Sequence, residues 1–171
     1  MVIWLIGLSG AGKTTIGRRV CQLWQEREPN TVLIDGDEIR ALFRHDQRPD
    51  AHTLSGRRAN AERITELCLW LDRQGINIVC CILSLFPDMR AHYRSVFSSY
   101  KEIYIKVPLE KLAQRDVKDL YAPAMRGGKK NIVGIDIPFP EPENPDLVID
   151  NAADGIDVDV VARRIIAEIG R

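Results

Sequence analysis

No apolar run in the 171-residue sequence approaches the ~20 residues that a membrane-spanning helix needs. Net charge is missing too. The 24 basic residues face 24 acidic ones, so nothing draws the whole chain to nucleic acid or anionic lipid, and any phosphate recognition must be local. The cysteines Cys21, Cys68, Cys80 and Cys81 lack C-x-x-C or His-paired spacing. That removes the usual zinc and redox motifs and predicts buried, reduced thiols. The opening stretch Val2–Ile6 is too short for a signal peptide and has no basic flank. A cytoplasmic protein without membrane or nucleic-acid partners is expected.

Neither an internal repeat nor a composition break divides the chain, so residues 1–171 are read as one domain. Its make-up, 45% hydrophobic and 28% charged, suffices to bury a core without disulfides or metal. Short apolar runs at Val2–Ile6, Thr31–Ile34, Ile76–Leu83, Lys101–Val107 and Leu147–Ile149 read as strands. Helical periods separate them. Ile16, Val20, Leu23 and Trp24 recur on one face, and Ala61, Ile64, Leu67, Cys68 and Leu71 on another, after Ser55 as a candidate N-cap and before Gly75. Arg90–Phe97 reads as a further helix, Pro108 opens the next, and Val158, Val161, Ala162, Ile165 and Ile169 form a C-terminal stripe.

Strands alternating with helices predict an α/β fold: three layers around a mostly parallel five-stranded sheet. Residues 116–145 differ, with paired glycines, paired lysines and five of the nine prolines. A stretch of that length and composition is read as a lid loop.

Gly7-Leu8-Ser9-Gly10-Ala11-Gly12-Lys13-Thr14 satisfies G-x-x-x-x-G-K-[ST] at every fixed position, between a strand and a helix. Its glycines let backbone N–H groups turn toward a phosphate at a helix N-terminus. Gly7, Ser9, Gly10, Ala11, Gly12, Lys13, Thr14 and Thr15 are therefore assigned to ATP. Lys13 reaches the β- and γ-phosphates, and the Thr14 hydroxyl binds Mg²⁺. The chain is too short for a motor's accessory domains. It also lacks an Asn-Lys-x-Asp guanine-reading motif, the nearest string being Val117-Lys118-Asp119. A small kinase fits best, with a non-catalytic ATP-binding regulatory protein as the rival.

Asp35-Gly36-Asp37-Glu38-Ile39-Arg40 follows the second strand, where ligands of open α/β sheets bind. One carboxylate can hold a Mg²⁺-bound water, with Asp35 as the candidate. The other can orient or deprotonate an acceptor hydroxyl. Arg57 and Asn60 share a helical face, a fork for an anion beside an orienting amide.

With these residues placed, the chain resembles the adenylyl-sulfate kinases nearly end to end. Gly7–Thr15 is similar to the family P-loop, Asp35–Arg40 to its D-G-D-x-[IV]-R, and Arg57-x-x-Asn60 to its R-x-x-N. Gln114-Arg115-Asp116 with Leu120-Tyr121 resembles its Q-R-D-x-x-x-L-Y. Gly134-Ile135-Asp136 and Pro142-Glu143-Asn144-Pro145 resemble its lid and the segment after it.

The resemblance implies Mg²⁺-dependent transfer of phosphate from ATP to the ribose 3′-hydroxyl of adenylyl sulfate, often by a homodimer. It implies that Asp37 acts as base or orienting group. Arg40, Arg57 and Asn60 would hold the acceptor, Arg115 would contact the ATP adenine, and Lys130 would close the lid. Lys129 and Arg126 are read as solvated lid surface.

Three positions depart from the family pattern. His52 and Ile132 stand where it has phenylalanines that stack on the acceptor base, and Ser84-Leu85-Phe86-Pro87 replaces its S-P-Y-R. Base stacking is worth ~1–3 kcal/mol, so the base preference is open to change. Cytidine diphosphoramidate, the acceptor of a divergent branch, is the alternative.

Overall fold

In the computed structural model, which describes residues 1–115 and 119–170, five strands form one sheet in the order β2-β3-β1-β4-β5. They are β1 (Val2–Ile6), β2 (Thr31–Asp35), β3 (Asn77–Cys81), β4 (Tyr100–Lys106) and β5 (Leu147–Asp150). Each pairing among them is parallel, where a mostly parallel sheet was expected. All five β1 residues are buried, which is why that run is continuously apolar and does not alternate.

Among the described residues, six α-helices lie between the strands and a seventh follows the last: α1 (Lys13–Gln25), α2 (Gly36–Leu42), α3 (Leu54–Asp72), α4 (Pro87–Val96), α5 (Leu109–Arg115), α6 (Tyr121–Met125) and α7 (Val158–Ile169). Alternate β1 residues feed two cores. Ile3 and Leu5 meet Ile16 and Val20 of α1, Leu112 of α5 and Ile165 of α7. Val2, Trp4 and Ile6 meet Ile64 and Cys68 of α3 and Tyr93 of α4. This period-two division makes the three layers. The four cysteines are free and buried, as expected.

Trp4 anchors the second core. Its ring lies 4.6 Å from Tyr93 and 6.0 Å from Phe97, contacts worth about 0.5–1.5 kcal/mol each beyond burial. Its indole N–H donates to Ser84 Oγ at 3.3 Å. These contacts fix α4 and the turn that follows β3.

Several boundaries differ from the sequence reading. The N-cap of α3 is Thr53, whose Oγ1 accepts from Gly56 N at 3.2 Å, and not Ser55. Both residue types cap well, and here the hydroxyl three residues before the free N–H has the right reach. Helix α4 begins three residues before Arg90, because Pro87 occupies a first-turn position where no N–H is needed. The His45–Thr53 loop contains a 3-10 turn at His45–Gln47, and His45 is buried with Nε2 3.0 Å from Gly56 O.

The 116–145 stretch holds α6 and an ordered turn. Asp136 carboxylate oxygens accept from the N–H groups of Asn131 and Ile132, each at 2.6 Å. Burial opposes its charge, but these bonds prevail and hold its pKa below the ordinary carboxylate value. Asp116 falls outside the described residues.

Candidate active site

The loop between β1 and α1 lies at the carboxyl end of the central strand, where the connections diverge to either side of the sheet. Gly10 (φ 78°) and Gly12 (φ 95°) occupy the left-handed region, the backbone turn that side-chain-bearing residues resist. The outward carbonyls find donors. Lys13 Nζ reaches Leu8 O at 2.8 Å, Tyr121 Oη reaches Ser9 O at 2.8 Å, and Asn151 Nδ2 reaches Ala11 O at 2.8 Å.

Beside the loop, Thr14 Oγ1 donates to Asp35 Oδ2 at 2.6 Å. Asp35 Oδ1 caps α2, accepting from Asp37 N at 2.9 Å and Glu38 N at 3.4 Å. One buried carboxylate thus positions the P-loop hydroxyl and the helix that carries Asp37 and Arg40. Arg40 Nη1 pairs with Asp37 Oδ1 at 3.3 Å.

A cavity of about 840 Å³ unites these groups. Of the sequence-assigned residues, Ser9, Gly10, Gly12, Lys13, Thr14, Thr15, Asp35, Asp37, Arg40, Arg57, Asn60, Lys130 and Ile132 line it. Gly7 and Ala11 support the loop from behind, with Ala11 in the core. Arg115 is not among the lining residues. Its guanidinium donates to the carbonyls of Asn151, Ala152 and Ala153 at 3.0–3.1 Å.

The lining is cationic although the chain is neutral overall. Lys13, Arg40, Arg57, Lys129 and Lys130 face Asp35, Asp37 and Asp46. Arg57 donates to the carbonyls of His52 (2.9 Å) and Asn131 (2.8 Å), joining α3 to the lid turn. Burial, followed by repulsion from Arg40, lowers its pKa, and Asp37 and Asp136 only partly oppose them. Arg40 Nε and Asn60 Oδ1 are buried with no hydrogen-bond partner. Both atoms belong to residues that line the cavity, and each is a departure from the usual pairing of buried polar groups.

Some site residues went unrecognised in the sequence. Lys129 is exposed, as a solvated lid residue should be, but it also lines the cavity and pairs with Asp119 at 3.8 Å. Phe86 lines it too, beneath the Arg58 guanidinium 4.6 Å from the ring. Tyr121 was visible only as part of a motif. Asn151 carries no local signal, because its role depends on where β5 ends in space.

The sequence matches the adenylylsulphate kinase family over residues 1–150. The chain belongs to that family. It is 36% identical over 151 residues to a cytidine diphosphoramidate kinase of Campylobacter jejuni, covering 88% of this chain and 86% of the relative. It is 34% identical over 164 residues to a probable adenylyl-sulfate kinase of Aeropyrum pernix, covering 94% and 88%. The fold superimposes on an APS kinase of Mycobacterium tuberculosis, solved with AMPPNP and APS, with a TM-score of 0.84, 27% identity and coverage of 99% and 97%. Membership in the adenylylsulphate kinase family makes the chain an ATP-dependent phosphotransferase with a hydroxyl acceptor, and the binding-only rival falls away. No helix among the described residues is long and apolar enough to cross a membrane.

Proposed function

We propose that this enzyme transfers the γ-phosphoryl group of ATP to the ribose 3′-hydroxyl of adenylyl sulfate. One observation carries the reading: the phosphate loop and the Asp37–Arg40–Arg57–Asn60 group line the same cavity. Lys13 stabilises charge on the transferring group. Asp37 orients the acceptor hydroxyl and receives its proton, while Arg40, Arg57 and Asn60 hold the acceptor's anionic portion. Arg115, the last residue of α5, is the residue that the family resemblance assigns to the adenine.

Mg²⁺ suits the hydroxyl and carboxylate oxygens of Thr14 and Asp35, hard ligands of the kind it takes alongside phosphates. When bound, it supplies charge neutralisation on the phosphates. No cluster of three or more His, Cys, Asp or Glu side chains suited to a metal occurs among the described residues. The buried free thiols support a cytoplasmic setting.

A second acceptor, cytidine diphosphoramidate, is favoured by the cavity wall. Ile132 and His52 line it where the family resemblance calls for aromatic platforms. The deciding experiment incubates the protein with Mg-ATP and adenylyl sulfate, cytidine diphosphoramidate or nucleoside monophosphates, and identifies the products. A 3′-phosphorylated adenylyl sulfate with stoichiometric ADP is expected. A product from the cytidine compound alone selects the second reading, and equal ATP turnover without any acceptor refutes both.

A further inference from the structure

A phosphate loop whose N–H groups face inward must turn carbonyls outward, and each of those needs a donor. For the last such carbonyl, that of Ala11, the donor is Asn151 Nδ2 at 2.8 Å. Asn151 directly follows β5 and is held from both sides. Its N–H donates to Lys106 O at 2.9 Å, and its carbonyl accepts from Arg115 Nη1 at 3.0 Å. The side chain therefore projects from a fixed origin. Its amide fits against the bare face of Gly12, where an added Cβ would lie 2.7 Å from Nδ2.

We infer that Asn151 is a positioning residue for the ATP phosphates, acting through the Ala11–Gly12 peptide. A trans peptide is planar, with its C=O and N–H pointing in opposite directions. Tying the Ala11 carbonyl to Asn151 therefore aims the Gly12 N–H away from Asn151, and Gly12 borders the cavity. Arg115 gains a role that needs no contact with the nucleotide: it clamps the Asn151 backbone and so fixes the donor. This inference rests on the reading that the loop holds ATP.

The test compares Asn151→Ala and the nearly isosteric Asn151→Asp, which keeps the shape but removes the N–H donor. With adenylyl sulfate as acceptor, the KM for ATP should rise about three- to tenfold in the alanine variant, the size of one neutral hydrogen bond. The aspartate variant should be no better, because its carboxylate faces a carbonyl oxygen. The acceptor KM should stay within about twofold, since the interaction concerns one substrate only.

An unchanged ATP KM in both variants overturns the inference. So does a parallel weakening of both substrates with a lowered melting temperature, which marks a general support of the fold. If the wild-type protein turns over no acceptor, the functional reading fails instead. ADP affinity measured by calorimetry in the same three proteins then tests Asn151 alone: a three- to tenfold loss of about the same size supports its role, and equal affinities reject it.

Discussion

The Thr14 hydroxyl and the Asp35 carboxylate meet at 2.6 Å, joining the first turn of α1 to the end of β2. Because Asp35 also caps α2, a single side chain sets the phosphate loop in register with the helix that presents Asp37. Replacing Asp35 with Ala should therefore produce two separable losses. The missing cap should cost about 0.5–2 kcal/mol in urea-induced unfolding. Lost support for the metal should raise the Mg²⁺ concentration for half-maximal rate about tenfold or more. Asp35→Asn retains one acceptor oxygen for the cap, so it should show the second effect with little of the first.

Gly17 is buried in α1, where an added Cβ would lie 2.2 Å from Cys81 Sγ. Either the Cys81 sulfur or the helix must shift to admit a methyl group. Gly17→Ala should destabilise the fold by about 1–3 kcal/mol despite the better helix propensity of alanine. Adding Cys81→Ala removes the obstructing sulfur, so the double variant should recover part of the loss in equilibrium unfolding.

His52 lies near two guanidinium groups. His52 is exposed, yet partial loss of water contact first, then Arg40 and Arg57, press its pKa below the ordinary imidazole value, and Asp37 only partly opposes them. The folded state therefore binds a proton at His52 less readily than the unfolded chain does. Its contribution is fully present above the ordinary value of 6.5 and is lost as pH falls from there through the lowered folded-state pKa. Between about pH 7.5 and about pH 5, the melting temperature of His52→Gln should fall less than that of the wild type.

Ile132 faces the cavity from the lid turn. Ile132→Phe supplies an aromatic face of the kind that stacks on a base for ~1–3 kcal/mol. The ratio of kcat/KM for adenylyl sulfate over cytidine diphosphoramidate should rise about fivefold or more, with KM for ATP little changed. An unchanged ratio would remove Ile132 from base selection.

The phosphate loop was legible in the sequence because its chemistry fixes residue types at fixed spacing, and β1 because burial on both faces makes it continuously apolar. The faces of α1 and α3 followed from their periods, although Leu67 and Leu71 are only half-buried. Caps were less legible: Thr53 and Ser55 are chemically alike, and geometry alone chooses between them. The lid segment looked irregular by composition, yet Asp136 and Arg57 order its turn through bonds to backbone groups, which leave little trace in side-chain pattern. Asn151 stayed hidden for a related reason. It reaches the phosphate loop from a strand end whose place is settled by the whole sheet.

In the proposed reaction, Asp37 aims an acceptor hydroxyl at the phosphate held by Lys13. The most direct test measures acceptor-dependent ADP release by Asp37→Asn, a substitution that keeps the shape of the side chain and removes its basic oxygen. A fall in kcat of about 10²–10⁴-fold is expected, with KM for ATP within about threefold of wild type. Turnover at the wild-type rate would contradict it.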